Sequence, residues 1–507
     1  MATPPAHSAT WPGMTINAGS KRLPPSSRLM RNTTWSCIGS AAPMLLAIIA
    51  VPRLIQGLGA DRFGILTLAW MAIGYLSFLD LGLGRAITRL IADRLALRRQ
   101  HELPGIFWDA HLLLAGVALA GGALAWVLSG VLLNHALKIP AALHGEARNC
   151  FHLIAITIPV VVLANGLRGF LEAHQRFRAV NVIRVFVGIA GFLGPLCMLH
   201  WSPRVDITVA MLSAVRIITL VAFFVCCLLA CPEVWTQRCF GVTALVPLLR
   251  FGGWIAFDNV IGPLMISVDR FLIASLLSVG MATYYVTPQE MITKLLIIPM
   301  GLQQAIFPAF AGLSREAAAT LYRKSADTLL LLMLPLALLV RMFSREVLTL
   351  WLGALFASRS FLVLEWLALG VLINSLAHVP SSMIQAIGRP QVNAKIHLLE
   401  LPLYLVLAWW MISHHGIVGA AIAWVVRVSV DAICFFAVGY RVLPCSPFTW
   451  RNVGAAVAIM TLGCMVTHST QHASLKLFFA LVASAVTVGL SVQLLARAAP
   501  VPQEMST

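Results

Sequence analysis

The sequence predicts an all-α polytopic membrane protein of about fourteen transmembrane helices, built as two six-helix lobes related by an internal repeat plus two C-terminal helices. Three observations carry that expectation. Of 507 residues, 59% are hydrophobic and only 11% charged, less than half the roughly 25% charge of a soluble domain. At about 20–21 residues per crossing, the apolar fraction supplies roughly fourteen spans. The third observation is self-similarity at an offset of about 211–218 residues. The net charge of +17 would point to nucleic acid in a soluble protein. With no soluble basic domain to carry it, it records instead the bias of Lys and Arg toward one side of a membrane, and no nucleic-acid partner is expected.

Residues 1–31 are polar and Pro/Ser-rich, with Lys21, Arg22, Arg28 and Arg31 just before the first apolar run. They hold no apolar core, so they read as a disordered cytoplasmic segment preceding an uncleaved anchor rather than as a signal peptide. Met14 and Met30 are alternative starts. Apolar runs place spans near 34–55, 63–83, 109–133, 151–170, 180–200 and 207–230, forming an N-terminal lobe over 32–231. A cytoplasmic linker follows at 232–249. Spans near 250–275, 283–310, 327–343, 361–386, 394–413 and 416–440 form a second lobe over 250–441. Two further spans, near 452–468 and 474–495, occupy 452–495, and 496–507 is a cytoplasmic tail.

About 23 basic residues, with Arg85, Arg89, Arg94, Arg98 and Arg99 in one connection, fall on the side of the N-terminus, against about ten on the other. That asymmetry places both termini in the cytoplasm. No connection exceeds about 25 residues, which counts against an enzyme, since a membrane glycan ligase or polymerase needs a domain or long loop to hold its acceptor. No catalytic residue is assigned. The ten cysteines show no metal or redox spacing, so no disulfide and no metal site is expected. No G-x-x-x-x-G-K-[ST] phosphate loop is present, and no hydrolytic cofactor is expected.

The repeat rests on three matches in order. Val51-Pro52-Arg53-Leu54 aligns with Val268-Asp269-Arg270-Phe271, Leu171–Arg176 with Ile384–Arg389, and Arg216 with Arg427. Two six-span repeats share one topology, with an axis along the membrane normal and a pathway between them, which is a transporter's plan.

Ionisable groups inside a membrane need a partner, water or a ligand. Arg216 lies in the sixth span, Asp258 in the seventh, Glu290 and Lys294 in the eighth, and Arg427 and Asp431 in the twelfth; Arg53, Asp269 and Arg270 lie near span ends. Glu290–Lys294 and Arg427–Asp431 are each four apart and meet on one helix face. Either each pair neutralises itself, or the basic members face a cavity and hold an anionic headgroup. Arg216 has no acid within a turn and is the best cavity cation. Paired guanidiniums suit a diphosphate, because the fork binds phosphate oxygens bidentately. Asp258, Glu290 and Asp431 are candidates for ion coupling, although Asp258 can equally hydrogen-bond locally beside Asn259. Prolines interrupt many spans; the eighth, with Pro288, Pro299 and Pro308, is the most prone to bend. Asp80, Gly82 and Gly84, in LDLGLGRA, read as a packing and gating feature at the end of the second span.

The stretch LIQGLGADRFGILTLAWMAIGYLSFLDLGLGRAITRLIA, with LG-x-x-x-FG-x-L and then D-x-G-x-G, resembles the first hairpin of Wzx-type polysaccharide flippases. These belong to the multidrug/oligosaccharidyl-lipid/polysaccharide exporter superfamily. VDRFLIASLLSVGMATYYVTPQEMITKLLIIPMGLQQAIFPAFAGLS is similar to that family's seventh and eighth helices, and the resemblance covers roughly residues 32–440. It implies a flippase that moves an undecaprenyl-diphosphate-linked oligosaccharide across the bacterial inner membrane by alternating access, driven by an ion gradient or membrane potential. It also implies a cationic cavity, which fits Arg216, Lys294 and Arg427, with Arg53 and Arg270 as further candidates, and contact with membrane lipids and polysaccharide polymerase or ligase machinery. The alternatives are a lipid II flippase, a multidrug exporter, which would usually have about twelve spans, and a membrane glycan ligase or polymerase.

Overall fold

The structure, a computed structural model, describes residues 26–75, 83–232, 265, 267–469 and 473–496. The described chain is a helical bundle. In the first half run α1 (Ser26–Tyr75), α2 (Leu83–Ala96), α3 (Leu103–Val131), α4 (His144–Ala173), α5 (Phe177–Trp201) and α6 (Val205–Ala230). The second half runs through α7 (267–276), α8 (Val279–Thr293), α9 (Ile297–Gly312), α10 (Arg315–Met342), α11 (Ser344–Leu352), α12 (Ala354–Ala386) and α13 (Pro390–Val442). Two last helices, α14 (Trp450–Ser469) and α15 (Ala473–Ala496), follow. Eight of the described helices are long and apolar enough to cross a membrane.

Two of those eight hold a break. α1 leaves helical geometry at Gly59 (φ 78°, ψ 165°) and α13 at Gly416 (φ 60°, ψ −143°). Both conformations belong to a region open essentially to glycine alone; Gly59 lies between two of the apolar runs read from the sequence, and Gly416 is the first residue of the run at 416–440. The eighth span is divided into α8 and α9 by a single 3-10 turn at Lys294–Leu296. Pro299, buried in the first turn of α9, has no N–H to return to residue 295, which favours the tighter turn before it.

Helix ends follow local chemistry. Ser278 and Ser314 cap α8 and α10, their hydroxyls accepting from the backbone N–H groups of Met281 (3.1 Å) and Ala317 (3.4 Å). The repeat is clearest where α4 and α12 stop. Arg176 N–H donates to Leu171 C=O and Gln175 N–H to Glu172 C=O; Arg389 and Gly388 donate to Ile384 and Gln385 in the same pattern. Gln175 (φ 57°) and Gly388 (φ 80°) hold the left-handed position of these two equivalent caps.

α4 is the centre of the first half, packing on α2, α3 and α6, while α5 packs on α1 and α6. In the second half α12 holds the centre, against α8, α9, α10, α11 and α13, and α14 and α15 lean on α10. The halves meet where α1 packs on α8. Hydrogen bonds across that seam gather at one end of the bundle. Lys138 N–H donates to Ala274 C=O (3.0 Å), Val279 N–H to Lys138 C=O (3.3 Å), Thr283 Oγ1 to Ala60 C=O (2.8 Å) and Trp351 Nε1 to Ile48 C=O (2.7 Å). The Lys138 ammonium adds a bond to Leu276 C=O.

The structure corrects the sequence reading in three places. Residues 26–31, placed in a disordered segment, are helical, because Arg28, Leu29, Met30 and Arg31 are good helix formers that extend an existing helix at little cost. α2 and α11 were not expected as helices; both are amphipathic and too polar or too short to read as spans. α10 begins at Arg315 rather than near 327, since its first three turns are polar and carry no hydropathy signal.

Candidate functional site

Three helices of the first half enclose a cavity of about 100 Å³ lined by α4, α5 and α6. Three guanidiniums reach it: Arg168 from the last turns of α4, Arg184 from the first turns of α5 and Arg216 from the middle of α6. Asn165 and Thr219 add polar groups, and Val161, Ile183 and Phe223 an apolar wall. Arg168 Nε lies 3.6 Å from Glu172. Arg216 is half-buried and has no carboxylate within 4.0 Å among the described residues, and Arg184 is exposed and likewise unpaired. Three cations against one acid, in a site walled by hydrocarbon, attract an anion with several oxygens.

The second half carries a linked polar chain. Asp269, fully buried, accepts from the Tyr285 hydroxyl and from Gln289 Nε2 (3.1 Å). Arg270, also buried, donates from Nε to Gln289 Oε1 (3.1 Å) and from Nη2 to Glu290 Oε1 (2.7 Å). Lys294 Nζ reaches Glu290 Oε2 at 3.1 Å. Glu290 therefore bridges two cations, and the i,i+4 pair read from the sequence forms with Arg270 as its third member.

Arg427 and Asp431 do not pair with each other as their spacing suggested. Asp431 Oδ1 lies 3.6 Å from His397 Nδ1 on the facing stretch of α13, and the Arg427 guanidinium sits over the Tyr404 ring at 5.5 Å. The reason is geometric: groups on the facing segment offer nearer partners than a side chain one turn away along the same helix. Arg53 is exposed, unlike its repeat equivalent Arg270. Asp258, Asp80 and Gly82 lie outside the described residues. Gly84 is buried, and its C=O accepts from Thr88 Oγ1, which bridges to Gly169 C=O at 3.0 Å. A Cβ on Gly169 would stand 2.5 Å from Gly84 O, so glycine is needed there for α2 to approach α4. Elsewhere in the first half Glu146 accepts from Arg62 (2.7 and 3.0 Å) and from Val205 N–H (3.0 Å), while Asp206 accepts from Arg204 and Asn149.

Sequence reading missed Arg168 and Arg184. It also missed His397 and Glu400. The signal for the latter was present: Asn393, His397, Glu400 and Tyr404, spaced four, three and four, lie on one helix face.

Similarity to known proteins covers nearly the whole chain. Residues 29–314 match the family described as polysaccharide biosynthesis protein. The chain is 32% identical over 411 residues to a putative O-antigen transporter of Shigella flexneri, spanning 80% of this chain and 96% of that one. It is 22% identical over 384 residues to the lipopolysaccharide biosynthesis protein WzxC of Escherichia coli K12, spanning 73% and 72%. In fold it is similar to the lipid II flippase MurJ in an inward closed conformation (TM-score 0.70, 12% identity, 92% of this chain, 100% of that one). It is also similar to an inward-facing multidrug resistance transporter of the MATE family (TM-score 0.62, 16% identity, 80% and 98%). The chain is a multi-pass membrane protein and belongs to the polysaccharide biosynthesis protein family.

Proposed function

We propose that the protein moves an undecaprenyl-diphosphate-linked oligosaccharide from the cytoplasmic to the periplasmic leaflet of the bacterial inner membrane, with both termini cytoplasmic. The observation that carries this reading is the cavity with Arg168, Arg184 and Arg216 and, among the described residues, a single nearby carboxylate. The diphosphate is the part of such a lipid that costs most to take out of water, and guanidinium forks on a low-dielectric wall offset that cost. The glycan stays in water between the lobes and the polyprenyl tail in lipid. The hydrogen bonds that join the lobes at one end make that end the closed one, and on this topology it faces the periplasm.

Rocking of the lobes, with bending at 294–296, then breaks the seal and opens the other face. No bond is made or broken in the cargo, so the protein acts as a transporter and not an enzyme. An ion gradient or membrane potential drives the cycle, with no bound cofactor. Of the proposed coupling carboxylates, Glu290 is held between Arg270 and Lys294, and Asp431 faces His397. Polymerase or ligase machinery would receive the cargo on the far side.

The test is the leaflet location of undecaprenyl-linked oligosaccharide in cells depleted of the protein. Accumulation on the cytoplasmic face, reversed by re-expression, supports the reading; normal delivery with redundant flippases absent refutes it. Restored growth of a lipid II flippase mutant would instead assign the cargo as lipid II.

A further inference from the structure

We propose that His397, Glu400 and Asp431 form a binding site for a divalent metal ion of the zinc class. His397 Nδ1 lies 3.6 Å from Asp431 Oδ1 and 3.9 Å from Glu400 Oε2, and one donor atom from each of the three residues lies within 4.8 Å of the others. Two ligands at about 2.1 Å from a tetrahedral ion stand about 3.4 Å apart, so a small inward turn of these side chains closes the set. His397 and Glu400 are one turn apart on α13 before its break at Gly416, and Asp431 comes from the segment after it. The ion would pin the two segments together.

The carboxylates themselves call for a ligand. Glu400 is 6% exposed and Asp431 5%. Both oxygens of Glu400, Oδ1 of Asp431 and Nδ1 of His397 have no hydrogen-bond partner among the described residues. Buried carboxylates without partners are costly unless a cation or proton meets them. Two acids balance a divalent ion, and an imidazole nitrogen beside them favours a transition metal over sodium or calcium, which prefer oxygen alone. Arg427 lies one turn before Asp431 but makes no ion pair within 4.0 Å with either acid, its guanidinium being drawn to Tyr404. Asn393 Oδ1, buried one turn before His397 and without a partner among the described residues, is available as a further oxygen donor.

The repeat sharpens the contrast between the lobes. At an offset of 213, Arg184 falls on His397 and Val187 on Glu400; at 211, Arg216 falls on Arg427 and Leu220 on Asp431. Of the first-lobe guanidiniums, only Arg184 gives way to a member of the second-lobe cluster, while Arg216 keeps an arginine at Arg427 and the two carboxylates stand where the first lobe has Val187 and Leu220.

The test uses the full-length protein in detergent, stripped with chelator and titrated with cobalt(II), whose visible absorption reports a mixed nitrogen and oxygen site. One saturable equivalent, displaced by zinc, is expected. His397→Ala, Glu400→Gln and Asp431→Asn should each weaken binding at least tenfold, since losing even an outer-shell partner costs 10–100-fold. Zinc should raise the melting temperature of the parent and leave that of His397→Ala unmoved. His414→Ala/His415→Ala, which removes an exposed histidine pair elsewhere on α13, should keep the absorption. Absence of a saturable band, or its survival in both His397→Ala and Asp431→Asn, overturns the proposal. So does occupancy by sodium or protons alone. Binding is read without any glycolipid, so this result and the flippase assay fail independently.

Discussion

Replacing Arg216 by Gln should push stability and ligand binding in opposite directions. Arg216 sits at mid-span with no carboxylate within 4.0 Å among the described residues. A mid-span arginine costs about 2.5–3.5 kcal/mol on insertion scales, and no ion pair offsets it here. Gln carries no charge, so the unliganded variant should melt at or above the parent temperature. The same change removes one of three guanidiniums from the cavity. A hydrogen bond to a charged group contributes about 1.5–3 kcal/mol, which is roughly a 10- to 150-fold loss of affinity for a diphosphate. Arg168, already engaged by Glu172, and Arg184, exposed to solvent, leave residual binding. Arg216→Lys, which keeps the charge and loses the fork, should fall between. Thermal unfolding and binding of a short-chain polyprenyl diphosphate, measured on the same detergent-purified samples, check both signs. A variant that melts lower than the parent would show that Arg216 is a structural residue, and unchanged affinity would remove it from the site.

Three other expectations follow from packing and backbone geometry. Gln175→Gly should stabilise the protein by up to about 1 kcal/mol by relieving a left-handed residue at the α4 cap, while Gly388→Gln should cost about 1–2 kcal/mol at the equivalent cap of α12; equal melting shifts of the same sign would refute the argument. Gly169→Ala places a methyl 2.5 Å from Gly84 O, so α2 must retreat by about 0.9 Å to reach ordinary contact, at about 1–3 kcal/mol; an unaltered melting temperature would contradict that close approach. A reducible cross-link between cysteines introduced at 138 and 274, whose backbones are hydrogen-bonded at 3.0 Å, in a background without other cysteines, should hold the seal shut. Transport should stop and return with reductant, and continued flipping would mean the lobes do not part there.

The all-helical, membrane-spanning character was legible because hydropathy is a property of composition along the chain, and a twenty-residue apolar run admits few other readings. The matched caps at Arg176 and Arg389 were visible as a sequence match, since both copies keep the arginine that closes the turn. Partnership between helices was not legible. Arg427 and Asp431 looked like a pair because spacing encodes neighbours along one helix, while the facing segment that supplies His397 and Tyr404 is a tertiary fact. Arg168 and Arg184 were hidden for a related reason. An arginine near a span end reads the same in sequence whether it points to cytoplasm or into a cavity.

The corners at Gly59 and Gly416 have a mechanical consequence. Each reverses the chain through a single glycine, leaving no slack between the two segments it joins. A hairpin without slack cannot let one arm slide along the other, so each behaves as a stiff lever. The 3-10 turn at Lys294–Leu296 divides the eighth span. If the lobes rock as proposed, a change at that turn should alter how fast the protein cycles more than how tightly it grips.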